Sequence, residues 1–316
     1  MTEEAVRAAA TALAGVAIRA PLIDAPFLAR LTGHPVRLKA EQRQPMGAFK
    51  IRGAMTAALR LSPAERARGF VTSSSGNHGL AIAFAGRHFG VRAVVVMPES
   101  APRVKIEGIQ RLGGEVVFAG KIRSPEQLER AERFAREEGL VLIPPYDHPD
   151  VVAGQGTVGL EIAEDWPEVT DVLAPVSGGG LLAGTCLGVH AALPQARVWG
   201  VEPAGAAKLT AALAAGRPTT IPVVDTICDG LRTPTIGELT FPIIRAQVAG
   251  VVQVTDTDIV AAMKALKAEL DFVIEPSGAV TVAALLAGKI HPAGPTAAIL
   301  SGGNVDAETF ARLVAA

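Results

Sequence analysis

The chain is expected to fold as an α/β protein with mostly parallel sheets, and three observations carry that expectation. Short apolar, β-branched runs alternate with helical stretches along the sequence. The runs are continuously apolar, as strands covered on both faces must be, whereas a half-exposed strand would alternate. They end repeatedly in serine-, glycine- and asparagine-rich turns from which the next helix starts. In such sheets ligands gather at the carboxyl ends of the strands, so those turns are where chemistry is expected.

In chain order, Val71 and Thr72 run into Ser73-Ser74-Ser75-Gly76-Asn77-His78-Gly79. Strands are expected at 94–97, before the Pro98 turn, at 116–118, and at 141–143, ending at Pro144-Pro145. The run 172–176 leads into Ser177-Gly178-Gly179-Gly180, and 198–201 precedes Glu202-Pro203. A last run, 297–300, opens onto Ser301-Gly302-Gly303-Asn304. Helices are expected at 49–59, 125–138 and 256–270, where apolar residues recur every three or four positions.

Composition excludes several classes. A chain of 316 residues favours two domains and has ample material for a core. Thirty Lys and Arg against 31 Asp and Glu leave no basic excess, so nucleic acid is not an expected partner. No stretch of roughly 18 apolar residues runs without charge or turn signals, so no membrane span is expected. The acidic, amphipathic start does not resemble a signal peptide. Cys186 and Cys228 alone cannot staple a chain of this length, which points to a reducing compartment, the cytoplasm.

Three turns repeat one design, strand, then Ser/Gly/Asn turn, then helix, and each offers backbone N–H groups to an anion. Together they suggest one ligand with several anionic or polar groups; singly, each is equally a tight βα turn. The run Gly178-x-Gly180-x-x-Ala183, with Glu202 about 20 residues on, fits the dinucleotide fingerprint formally. The same glycines equally suit a loop wrapped around a single phosphate. Lys50 follows the Pro45-Met46-Gly47 turn at the start of a helix, between apolar Phe49 and Ile51. Desolvation and the positive helix end would both favour its neutral, nucleophilic amine, although an exposed lysine beside a turn reads the same way. His78 is a possible base, but a histidine at a helix start is more often structural.

Taken together, these residues resemble the fold-type II pyridoxal-phosphate enzymes, in the threonine/serine dehydratase and serine racemase branch. The resemblance runs over nearly the whole chain. Gly47-Ala48-Phe49-Lys50-Ile51-Arg52-Gly53-Ala54 is similar to that family's lysine motif, and Ser74-Ser75-Gly76-Asn77-His78-Gly79 to its substrate-carboxylate loop. Ala153-Gly154-Gln155-Gly156-Thr157, the Ser177–Leu181 glycine loop, Ile274-Glu275-Pro276 and the stretch from Leu300 to Asp306 match in order and spacing. The resemblance implies two three-layer domains of tryptophan synthase β type. Residues 1–68 and 147–316 would form a large cofactor-binding domain, and 69–146 a small mobile one.

It also implies residue roles. Lys50 would carry pyridoxal phosphate as a Schiff base, with Phe49 stacked near the ring and Asn77 bonded to the phenolic oxygen. Gly178, Gly179, Gly180 and Leu181 would give N–H groups to the phosphate, and Ser177, where glycine is common, would add a hydroxyl. Ser301 would meet the pyridine nitrogen, and Glu275 and Asp229 would stand just behind. Ser74, Ser75, Asn77 and His78 would surround the substrate carboxylate. Lys50 would act as the base on one face of the substrate and Ser75 would sit on the other, as in the racemases.

The implied reaction is β-elimination from a β-hydroxy amino acid, L-threonine or L-serine, to an α-keto acid and ammonia. Serine racemisation and dehydration of 3-hydroxyaspartate or an aryl-serine are its alternatives, and a homodimer is the implied assembly. Met46 and Ala48 depart from the usual threonine and serine. Where the racemases place a divalent cation, this chain has Glu202, Ala206 and Lys208. An ammonium there opposes a hard cation, so no metal site is expected. Lys208 would pair with Glu202 in the cation's stead or be solvated. With Ala316 soon after the Ser301 turn, neither a regulatory domain nor feedback by isoleucine is expected.

Overall fold

The structure is a computed structural model that describes residues 2–122 and 124–315. Among the described residues ten strands appear in chain order: β1 (Leu22–Asp24), β2 (Val36–Ala40), β3 (Phe70–Ser73), β4 (Ala93–Met97), β5 (Glu115–Phe118), β6 (Val141–Leu142), β7 (Asp171–Pro175), β8 (Arg197–Pro203), β9 (Gly250–Val254) and β10 (Thr296–Leu300). They form two sheets. A six-stranded sheet has the order β1-β2-β10-β7-β8-β9, and a four-stranded sheet the order β5-β4-β3-β6. Every pairing is parallel except β1 with β2. The expected α/β class with mostly parallel sheets is therefore the observed one.

The apolar runs are the central strands. All five residues of β4, β7 and β10 are buried. Each sheet is covered on both faces by helices: two large apolar clusters flank the six-stranded sheet, and a third and a smaller fourth flank the other. Removing that surface from water is the main drive for the layering.

The expected helices appear as Lys50–Arg60, Glu126–Glu138 and Asp256–Leu270. The last opens with a reciprocal capping box, Thr255 with Asp258, and closes on Asp271 in the left-handed region at φ 55°. Strands β1, β2 and β9 were not expected. In Val36-Arg37-Leu38-Lys39-Ala40 two charges interrupt the apolar run. Lys39 is nonetheless fully buried, because its ammonium meets Glu161 Oε2 at 2.6 Å and the Ala20 carbonyl at 2.6 Å. Arg37 lies over the Trp166 ring.

Strand ends β3, β7 and β10 deliver the three turns of interest to one cleft. Both cysteines are free and buried, and burial pushes the Cys186 thiol up to about 12. No described helix is long and apolar enough to cross a membrane.

Candidate active site

A cleft lies between the sheets. Lys50, the serine loop after β3, the glycine loop after β7, and Glu275 and Ser301 from the far side all line it. Residues more than 200 positions apart thus reach one space.

Lys50 is the first residue of its helix, as the turn before it suggested. Its Nζ donates to the Pro145 carbonyl at 2.6 Å and stands 5.1 Å from the centre of the Phe49 ring. Behind it, Arg52 is 1% exposed and clamps the helix. It meets Glu41 through Nε and Nη2 at 2.9 and 2.8 Å, and Glu161 through Nη1 and Nη2 at 2.6 and 2.8 Å. In front, Ala48 bridges to Gly302, Phe49 N–H reaches the Ser301 carbonyl, and Gly303 N–H reaches the Gly47 carbonyl. Gly47 has φ 69°, and a Cβ there would stand 2.4 Å from Asn304 Oδ1. The Ser301–Asn304 turn therefore packs against the lysine loop. It does not open a helix as an anion site, and in this respect it differs from the other two turns.

The glycine loop does have the form of an anion cradle. Gly179 has φ 95° and precedes the helix Gly180–His190, whose ladder begins with Ala183 N–H to the Gly179 carbonyl. The N–H groups of Gly178 to Leu181 thus stand ahead of that ladder. Thr240 Oγ1 and Gly237 N–H hold the Gly178 carbonyl from behind, and Ser177 Oγ meets Thr233 Oγ1 at 2.9 Å. Tyr146, which sequence reasoning missed, lies against this loop. A Cβ on Gly178 would come within 2.3 Å of its ring.

In the serine loop, Ser74 Oγ accepts the N–H groups of Gly76 and Gly79 at 3.2 and 3.1 Å, tying the loop to the helix Asn77–Phe89. Ser75 lines the cleft. Asn77 Nδ2 donates to Glu275 Oε1 at 2.5 Å, and its Oδ1 accepts from Asn304 Nδ2 at 2.8 Å. Ser301 Oγ makes a long bond, 3.3 Å, to the Ser277 carbonyl.

His78 is buried, with Nε2 3.0 Å from the Ile143 carbonyl. Burial, aided by the nearby Lys50 charge, pushes its pKa down to about 3. At neutral pH it is an uncharged strut between helix and strand end, in line with the structural reading. The unfolded chain takes up a proton near pH 6.5 that the folded chain refuses until about pH 3. Stability from the neutral ring is therefore whole above pH 6.5 and is lost as pH falls toward 3, by about 1.4 kcal/mol per unit. In urea titrations between about pH 6 and 4, the wild type should lose stability more steeply than His78→Asn. Equal slopes would contradict this assignment.

Lys208 is fully buried and donates to the Ala206 and Leu231 carbonyls, each at 2.8 Å. Glu202 receives the N–H groups of Leu209 and Thr210 and the Thr210 hydroxyl, capping the helix Lys208–Ala215. Among the described residues no three His, Cys, Asp or Glu side chains converge as metal ligands.

An amine at a helix start, a glycine cradle for an anion and a polar wall opposite define a site for a phosphorylated carbonyl cofactor. The chain belongs to the pyridoxal-phosphate dependent enzymes, whose family pattern matches residues 13–302. It is 41% identical to a putative threonine dehydratase of Sinorhizobium fredii, over 91% of this chain and 87% of that protein. It is 37% identical to the L-threo-3-hydroxyaspartate ammonia-lyase of Saccharomyces cerevisiae, over 94% and 91%. The solved structure of maize serine racemase superposes with a TM-score of 0.95 at 36% identity, covering 98% of this chain and 96% of that one. The formal dinucleotide match is thus a shared solution to phosphate binding.

Proposed function

We propose that the protein catalyses β-elimination from a β-hydroxy amino acid, L-threonine or L-serine, releasing an α-keto acid and ammonia. The observation that carries this reading is the convergence on one cleft of the Lys50 amine, the Gly178–Leu181 cradle and the Ser75 loop. Bound pyridoxal phosphate supplies an electron sink for the charge left when the α-proton departs. Lys50 would hold the cofactor and, once released, take that proton. The Gly178–Leu181 N–H groups and Ser177 would hold the phosphate, Phe49, Asn77, Glu275 and Ser301 would surround the ring, and the Ser74–Asn77 loop with His78 behind it would orient the substrate carboxylate. Ser75 in the same cleft supports a second reading, serine racemisation, in which its hydroxyl returns the proton from the opposite face.

The charge of the cleft bears on the substrate. Asp229 and Glu275 line it and no arginine does among the described residues. The two share the single ammonium of Lys105 and so leave a net negative charge, which a second substrate carboxylate would meet; this favours the neutral threonine and serine over 3-hydroxyaspartate. Residues 69–146 are read as the mobile domain that closes over the substrate, supported by a four-stranded sheet drawn wholly from 70–142. A cytoplasmic homodimer completes the reading, on the family resemblance and the two free cysteines.

The test is keto-acid release from the holoenzyme with L-threonine, L-serine, D-serine and 3-hydroxyaspartate. Release from L-threonine or L-serine supports the proposal, and D-serine formation exceeding pyruvate would replace it with the racemase. Metal independence belongs to the same reading, because the Lys208 ammonium occupies the Ala206 carbonyl. Chelation with EDTA should leave turnover unchanged and added manganese should not raise it; a severalfold response to either would contradict this.

A further inference from the structure

One buried side chain outside the expected set ties the two sheets' units together. Lys105, in the first turn of the helix Arg103–Arg111, is fully buried. Its Nζ stands 2.5 Å from Asp229 Oδ2 and 2.9 Å from Glu275 Oε2. Its stem passes under the serine loop, where a Cβ on Gly76 would lie 3.4 Å from its Cδ and Nζ. The neighbouring Val104 N–H donates to Asp306 Oδ1 at 2.9 Å. The first turn of this helix, packed on the four-stranded sheet's side, is thus docked on three carboxylates that belong with the six-stranded sheet.

The contacts form a continuous chain. The Met46 carbonyl accepts from Asn304 Nδ2, and the same Nδ2 donates to Asn77 Oδ1. Asn77 Nδ2 donates to Glu275 Oε1, and Glu275 Oε2 accepts from Lys105, which also holds Asp229. The backbone carbonyl fixes Asn304 as donor at one end, and the ammonium fixes Glu275 as acceptor on both oxygens at the other. Between these two, Asn77 has one orientation, with its NH₂ group on the Glu275 side.

We propose that Lys105 is a positioning residue. Its ammonium, brought between Asp229 and Glu275 when the two units close, keeps Glu275 an acceptor and so presents the Asn77 NH₂ group to the cofactor. The inference rests on the cofactor reading above. Burial pushes the Glu275 pKa up and the Lys105 ammonium opposes it, while Lys105, despite its own burial, is held above the usual lysine range by Asp229 and Glu275. Without Lys105 the opposition is gone and the carboxyl takes a proton. A protonated Glu275 spends one oxygen as a donor and holds the Asn77 NH₂ group less firmly, and because Asn304 still donates to Asn77 Oδ1 the amide does not turn over; its NH₂ group is instead left poorly placed toward the cofactor.

The test uses the full chain with pyridoxal phosphate and compares the wild type with Lys105→Met and with Lys105→Met combined with Glu275→Gln. Cofactor affinity is read by fluorescence titration and the state of the bound cofactor by its visible absorption band. Lys105→Met should bind the cofactor at least tenfold more weakly and shift the band. The double variant removes the buried Glu275 charge, leaves unpaired only the partly exposed Asp229, and gives Asn77 a glutamine oxygen to donate to, so it should bind the cofactor at least about threefold better than the single variant and move the band back toward the wild-type position. It also keeps the test alive if the single variant does not fold. Unchanged affinity and band in Lys105→Met, or a double variant no better than the single, would overturn the proposal. A wild type that bound no cofactor would instead overturn the reading on which it rests.

Discussion

Lys50→Ala should abolish keto-acid release, by on the order of 10³-fold or more, and with it the visible colour of the bound cofactor. The size of the effect follows from the absence of a substitute among the described residues of the cleft. Lys105 is held between Asp229 and Glu275 and cannot turn toward the substrate. His78 is neutral, with one ring nitrogen at the Ile143 carbonyl and its pKa near 3, too weak a base for an α-proton. The fold should not suffer. Lys50 is only half-buried, sits at a helix start and is replaced by the best helix former. Turnover, absorption and thermal unfolding measured on one preparation check this. Retained turnover in a colourless variant would sink the assignment of Lys50.

Much of this site was legible because its chemistry demands local sequence. A phosphate cradle needs glycines in a run, and a lysine at a helix start needs the Pro45–Gly47 turn before it. Both leave marks that a linear reading detects. What escaped is long-range. Lys105 stands in an ordinary amphipathic helix, and only the arrival of Asp229 and Glu275, over 100 positions away, gives it a role. Tyr146 follows a pair of prolines and resembles a loop residue until the glycine loop is laid against it. Strand β2 was hidden for a related reason: Lys39 looks like a surface charge unless Glu161 is known to be beside it. The third turn was misread because Ser301-Gly302-Gly303-Asn304 shares the composition of a βα anion turn but spends its backbone on the lysine loop.

Arg52→Met should cost about 3–5 kcal/mol of stability, near the upper end for a single substitution. The guanidinium is 1% exposed and shared by Glu41, itself fully buried, and Glu161, with Thr157 Oγ1 and the Ile18 carbonyl taking further N–H groups. Burial pushes its pKa down, but the two carboxylates together outweigh it and hold the pKa above the usual arginine range. Removing it strands Glu41, whose remaining side-chain donor is Gln44 Nε2 at 3.1 Å, whereas Glu161 keeps Lys39. Arg52→Lys should lose less but not recover fully, because one ammonium cannot serve two carboxylates bidentately. Urea unfolding of the three proteins orders them wild type, lysine, methionine. Because Arg52 lies two residues beyond Lys50 on the same helix, the methionine variant should also turn over more slowly at temperatures where it is still folded. A methionine variant as stable as the wild type would mean that Glu41 and Glu161 are accommodated without this arginine, and the clamp would not be what aims Lys50.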